Sequence, residues 1–145
     1  RTAERVKIGI GTVLPSNGQS KERREMPVRG RNLVTGLPEQ IILSEEDVRR
    51  AMERSVREII DAIKLSIEQT PPELLADIMN RGIHLSGGGA LLRGLDALIQ
   101  KETKIPTKVI DDPLTAVVRG AGSVVENIDR WAEVLLETDE LAPLR

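Results

Sequence analysis

Three consecutive glycines, Gly87, Gly88 and Gly89, stand between the apolar run Ile83-His84-Leu85 and an amphipathic run that opens with Ala90, Leu91 and Leu92. Glycine reaches positive φ angles without steric cost and lets a ligand approach the backbone where a Cβ would block it. The first amides of a helix have no partner inside it, so a helix beginning here would offer donors to a phosphate or ribose oxygen. The pattern predicts a strand, a glycine turn and a helix start, with Gly87, Gly88, Gly89, Ala90 and Leu91 as candidate ligand contacts. A tight strand-to-helix connection needs glycine on its own account, so spacing alone leaves both readings standing.

A second constellation lies near the start. Glu4 and Lys7, three residues apart with Arg5 and Val6 between them, would project from one face of a helix. The carboxylate could accept from ribose hydroxyls while the lysine stem lies along a base. The plainer reading is a surface ion pair. Elsewhere, Asp111-Asp112 before Pro113 is more simply a helix cap than a carboxylate pair or metal site. His84 is the single histidine, which excludes multi-histidine metal centres, and it reads as a packed strand residue. No serine or cysteine nucleophile constellation is visible, and neither catalytic nor metal-ligating residues are assigned.

Composition narrows the classes. The 145 residues suit one or two compact units, and 39% hydrophobic with 30% charged residues is globular usage. Trp131 is the sole aromatic, so the core must be aliphatic and base-stacking surfaces are disfavoured. With 21 basic and 23 acidic residues spread along the chain, no nucleic-acid stripe stands out. The basic cluster Lys21 to Arg24, interrupted by Glu22, is read as a solvated loop ahead of an anion-binding one. Zero cysteines exclude disulfides and thiolate sites and suit a reducing cytoplasm. No apolar run approaches membrane length, and the first residues given do not read as a signal peptide. The opening Arg1-Thr2-Ala3-Glu4-Arg5 leads to the expectation that this is the C-terminal part of something longer.

These candidates need elements to hold them. Thr2 to Val13 reads as a helix capped by Thr2, with Val6, Ile10 and Val13 on one face. Pro15 to Ser20 is an exposed loop. Met26 to Leu43 reads as two strands around a Gly- and Pro-containing turn, and Ser44-Glu45-Glu46-Asp47 as a capped helix start. Val48, Met52, Val56, Ile59, Ile60, Ile63 and Ile67 then line one helical face, which is expected to be core. Pro71-Pro72 stops that helix and starts another, with Leu74, Leu75, Ile78 and Met79 as its apolar face. Leu91 to Lys101 is expected to be helical, Ile105 to Ile110 a strand, Asp111 to Pro113 a cap and Leu114 to Trp131 a helix. Gly120 and Gly122 would let that last helix pack closely against a neighbour. Glu133 to Arg145 reads as a frayed tail. Strands alternating with helices in the second half predict an α/β layer with parallel strands.

The segment Leu85 to Leu95, Leu-Ser-Gly-Gly-Gly-Ala-Leu-Leu-Arg-Gly-Leu, is similar to the adenosine motif of actin-like ATPases. Thr2 to Lys7, Val28 to Pro38, Thr70 to Leu74 and Asp112 to Val117 resemble text of the MreB family of bacterial actins in the same order, and the resemblance runs from Arg1 to about Asn127. It implies the C-terminal half of an actin-like ATPase, ribonuclease H-like fold. Residues 1–69 would be mostly the small outer lobe, subdomain IIB-like. Residues 70–132 would be part of the large lobe, IIA-like, and 133–145 a tail.

It further implies that ATP or ADP is held on its adenosine side by Glu4, Arg5, Val6 and Lys7 from one lobe and by Gly87, Gly88, Gly89, Ala90 and Leu91 from the other. The family's two phosphate loops are absent from this sequence. Mg²⁺ would be bound only through missing residues, and the chain alone should not hydrolyse ATP. The full-length protein is expected to be a cytoplasmic ATPase that self-associates into filaments and works with cell-wall elongation proteins to maintain rod shape. It would reach the membrane surface through its missing N-terminal half and bind no nucleic acid. The alternatives are a small-molecule kinase of the same superfamily and a nucleotide-free interaction module.

Overall fold

The computed structural model of the chain describes residues 1–14 and 24–131. The expected loop at Pro15 to Ser20, most of the basic cluster after it and the tail from Glu133 lie outside the described residues. The described part runs α1 (Thr2–Ile10), β1 (Glu25–Arg31), β2 (Pro38–Ser44), α2 (Glu45–Glu68), α3 (Pro72–Arg81), β3 (Ile83–Leu85), a 3-10 turn (Gly88–Leu91), α4 (Leu95–Thr103), β4 (Thr107–Val109), α5 (Ala116–Glu126) and α6 (Ile128–Trp131).

α1 is shorter than its apolar spacing predicts. It ends at Ile10 because Gly11 is extended, with its amide donating to the carbonyl of Lys7 at 2.8 Å. Thr2 is the first helical residue and not the cap; Arg1 takes that position without a side-chain bond. Val13 therefore leaves the face shared by Val6 and Ile10 and joins a different part of the core.

β1 and β2 form the expected antiparallel hairpin, in register from Glu25 opposite Ser44 to Arg31 opposite Pro38. Its turn is built on Asn32, whose side-chain oxygen accepts from the amides of Val34 at 2.8 Å and Thr35 at 3.0 Å. That local bond gives a short polar side chain the work of a backbone turn. Ser44 then caps α2 as expected: its hydroxyl accepts from the Asp47 amide at 3.2 Å, while its own amide donates to the Asp47 carboxylate at 3.0 Å. Two otherwise unpaired donors are satisfied reciprocally.

α2 serves two apolar clusters. Val48 packs with Val6 and Ile10 beneath Met26, Val28 and Leu43 of the hairpin. Farther along, Val56 and Ile60 pack with Val13, Leu95 and Ile99. Met52, one turn from each, touches both clusters. Ile59, expected on the buried face, is half exposed.

β3 and β4 pair in parallel, Ile83 opposite Thr107 and Leu85 opposite Val109, as the helix–strand alternation predicts. α3 forms where Pro71-Pro72 predicts it but buries none of its residues, with Leu74 and Met79 exposed, so its apolar face is not covered by the described residues. The last helix breaks at Asn127 into α5 and α6, and a Cβ placed on Gly120 or Gly122 would meet nothing within 4 Å among the described residues. The close packing expected at these glycines is not made among the described residues.

Candidate functional site

The glycine turn sits at the carboxyl ends of the two parallel strands, where ligands of open α/β sheets bind. Ile110 donates to the Leu85 carbonyl at 3.1 Å, and Gly87 donates to the Pro113 carbonyl at 2.7 Å, so the segment leaving β4 holds the segment leaving β3. Gly87 has φ 78° and ψ 175°, a conformation open essentially to glycine alone.

The other two glycines work differently from the sequence expectation. Gly88 and Gly89 do not take positive φ; they lie in the 3-10 turn Gly88–Leu91. Among the described residues, a Cβ on Gly89 would meet nothing within 4 Å, and one on Gly88 would meet the Leu114 side chain at 3.6 Å. Their contribution is bare backbone beside open space, which a ligand can approach closely. Ala90, 6% exposed, faces into the chain, whereas Leu91, 54% exposed, faces out.

Nor does a helix begin at the glycines. α4 starts at Leu95 and not at Leu91, because Leu92 is extended and Gly94, with φ 78°, turns the chain before the helix. The amides of Ala90 and Leu92 are occupied by the carbonyls of Gly87 at 3.2 Å and Gly89 at 3.1 Å. A ligand here would meet the glycine backbone at the start of the 3-10 turn and not the N-terminus of α4.

α1 carries the second constellation. Val6 and Ile10 are buried against α2 and the hairpin, which leaves Glu4, Arg5 and Lys7 exposed. The Glu4–Lys7 ion pair of the plainer reading is not formed, and neither residue has a side-chain hydrogen bond or ion pair among the described residues. Beside them runs an open groove of about 720 Å³, bordered by Thr2, Glu4 and Lys7, with Val28, Leu43 and Val48 forming apolar wall.

None of Gly87 to Leu91 lines that groove, so the two constellations do not meet in it. They are instead joined at their bases. Thr12 and Arg93 form a parallel bridge in which the Val13 amide donates to the Arg93 carbonyl at 3.0 Å. Sequence spacing missed this joint because its two sides are 81 residues apart.

Of the remaining candidates, Asp112 does not cap α5. Thr115 occupies the cap position without a side-chain bond to the helix, and its hydroxyl donates to the Asp112 carboxylate instead. His84 is exposed, not packed, with Nε2 3.3 Å from the Arg81 carbonyl oxygen. Trp131 lies with the Arg130 guanidinium 6.0 Å from its ring centroid.

Among the described residues, the one carboxylate held far from its ordinary value is Glu46, in the first turn of α2. Hydrogen bonds from Arg49, then Arg50, bring it down to about 2. That is a surface charge cluster, not a reacting group. Among the described residues no group of three or more His, Cys, Asp or Glu side chains could hold a metal ion, and no helix is long and apolar enough to cross a membrane.

Comparison with known proteins gives a consistent result. The sequence pattern of the family described as MreB/Mbl protein matches residues 1–133. The chain is 45% identical over 130 residues to the cell shape-determining protein Mbl of Bacillus cereus, covering 90% of this chain and 38% of that protein. It is 47% identical over 128 residues to the cell shape-determining protein MreB of Escherichia coli, covering 88% of this chain and 36% of that one. Crystal structures of MreB5 of Spiroplasma citri bound to ADP and to AMPPNP superpose with TM-scores of 0.82 and 0.81 at 36% identity, covering 91% and 93% of this chain and 39% of the MreB5 chain. The chain thus spans little more than a third of the length of these relatives, and its fold is that of an actin-like protein.

Proposed function

The chain belongs to the MreB/Mbl family, and from that membership we propose that it supplies the adenosine-facing side of an ATP or ADP cleft in a bacterial actin-like filament protein that maintains rod shape. The observation that carries the reading is the glycine turn. Gly87 holds a glycine-only conformation at the end of a parallel strand, and Gly89 leaves its surface open, in a fold whose solved relatives are bound to ADP and AMPPNP. Glu4, Arg5 and Lys7 on exposed α1 approach the ligand from the other lobe, while Val6 anchors their helix.

The nucleotide fits as far as this chain reaches: a bare backbone surface on one side and unpaired ribose-compatible polar groups on the other. Phosphate and Mg²⁺ handling falls to the rest of the protein, and with it any ATP hydrolysis. In this reading residues 1–69 contribute mostly to the smaller lobe and 70–132 to the larger.

Self-association is supported by a second feature. The hairpin ends in Leu33, 97% exposed, and Val34, 94% exposed, an apolar tip projected from a rigid two-stranded arm. Such a tip suits insertion into another subunit. Cell-wall elongation proteins and the membrane surface would be engaged by the assembled filament from the cytoplasmic side. A small-molecule kinase would share the glycine turn but has no use for such a tip.

The test is sedimentation of the full-length protein with and without ATP, alongside titration with a fluorescent ATP analogue. Nucleotide-dependent pelleting with saturable binding is expected. Phosphorylation of a sugar without sedimentation would overturn the filament reading.

A further inference from the structure

The two constellations proposed to face the nucleotide do not meet in the groove beside α1, so something must set their separation, and one side chain is placed to do so. Arg93 follows the glycine turn by two residues. Its Nε donates to the Gly11 carbonyl at 2.9 Å, and its own carbonyl accepts from the Val13 amide at 3.0 Å and the Thr12 hydroxyl at 3.2 Å. Its Nη2 lies 3.1 Å from the Glu45 carboxylate at the start of α2, in an ion pair that is not aligned as a hydrogen bond and leaves that buried nitrogen with no hydrogen-bond partner.

One residue therefore grips the end of α1, the start of α2 and, through its backbone, the exit of the glycine turn. The paths to both constellations are short. Gly11 donates to the carbonyl of Lys7 at 2.8 Å, and Leu92, adjacent to Arg93, donates to the carbonyl of Gly89 at 3.1 Å. Lys7 and Gly89 are thus each one hydrogen bond removed from the same joint.

We infer that Arg93 is a positioning residue that fixes the distance between the Glu4–Lys7 helix and the Gly87–Leu91 turn, and so sets nucleotide affinity without touching the nucleotide. The inference rests on the nucleotide reading above. The guanidinium suits this task because its planar fork serves the Gly11 carbonyl and the Glu45 carboxylate at once, whereas a lysine ammonium is a single point that must choose between them.

The experiment titrates the full-length protein with N-methylanthraniloyl-ATP and measures urea midpoints in parallel, for wild type, Arg93→Lys, Glu45→Gln and the double variant. Arg93→Lys is expected to weaken binding by about tenfold, the scale of one lost charge-assisted hydrogen bond. Glu45→Gln, which keeps the Arg93–Gly11 bond, should weaken it less, and the double variant should fall short of the product of the two because both act on one contact.

Lowered urea midpoints with wild-type affinity in both single variants would make Arg93 merely structural and overturn the inference. Should Arg93→Lys not fold, unchanged affinity in Glu45→Gln would overturn it as well. Wild-type protein that fails to bind would sink the nucleotide reading itself, a result distinct from wild-type binding that ignores Arg93.

Discussion

The two sides of the proposed cleft are built by opposite means. On α1 the side chains do everything: Val6 and Ile10 anchor the helix, and the 3.6-residue period turns Glu4, Arg5 and Lys7 outward. On the glycine turn the backbone does everything, through the φ of Gly87, the bond from Gly87 to Pro113 and the bare surface at Gly89. A helix face tolerates substitution of its exposed residues, because the fold does not depend on them. A turn whose shape comes from backbone dihedrals makes fold and function hard to separate, except at residues whose added atoms would meet empty space.

The largest effect should fall on the backbone-built side. Gly82, at the entry to β3, has φ 81°, and a Cβ there would lie 2.4 Å from the Pro106 carbonyl oxygen. Gly82→Ala adds backbone strain to a clash that the parallel strand pair must absorb, so a loss of about 3 kcal/mol or more is expected in urea unfolding. A loss below about 1 kcal/mol would mean that the turn side has the slack of the helix side, removing the contrast.

Gly89→Val separates the two kinds of role. With nothing among the described residues within 4 Å of a Cβ there, stability should stay within about 1 kcal/mol of wild type. Nucleotide affinity of the full-length protein should drop by about a hundredfold or more, because the methyl groups occupy the ligand's approach. Equal affinity in a folded Gly89→Val protein would remove the glycine surface from the site. On the helix side, Glu4→Ala and Lys7→Ala should leave stability within about 0.5 kcal/mol and weaken binding by about three- to tenfold each. A stability loss greater than that would show these residues to be structural partners instead.

Much of this was legible in the residues and some was not, for identifiable reasons. Ser44 and Asp47 announce a helix start because a capping box is a local bond pattern. The hairpin and the parallel pair were readable from short apolar runs bounded by turn residues. The helix start expected at Leu91 lies instead at Leu95, because a 3-10 turn and a left-handed Gly94 look, by composition, like the first turn of a helix. α3 and α5 present apolar faces that periodicity assigns to a core, yet Met79 and Val117 are exposed; periodicity identifies a face and not what covers it. Arg93 was invisible as a site residue, since its partners Gly11 and Glu45 are set by long-range packing.

The smallest effect again distinguishes the two sides, through acid. The first turn of α2, which packs beside α1, carries Glu46 held at about 2 by hydrogen bonds from Arg49 and Arg50, and Asp47 held below its ordinary value by Ser44. On the glycine side Glu102 of α4 is also held below its ordinary value, by the hydrogen bond from Lys64 of α2, but among the described residues none there is brought as low as Glu46. A carboxylate whose folded value is depressed binds protons more tightly when unfolded, so its contribution is fully present above the unfolded value near 4.5 and is lost as pH falls through about 2. Urea midpoints of the wild type should therefore decline between those limits, while Glu46→Gln should show a shallower decline across the same window and no difference at neutral pH in its nucleotide affinity. The cluster is solvent-facing, so the difference should shrink in high salt. Parallel curves for the two proteins at low salt would mean that the arginines do not hold Glu46 in solution, leaving the α1 side no more acid-sensitive than the glycine side.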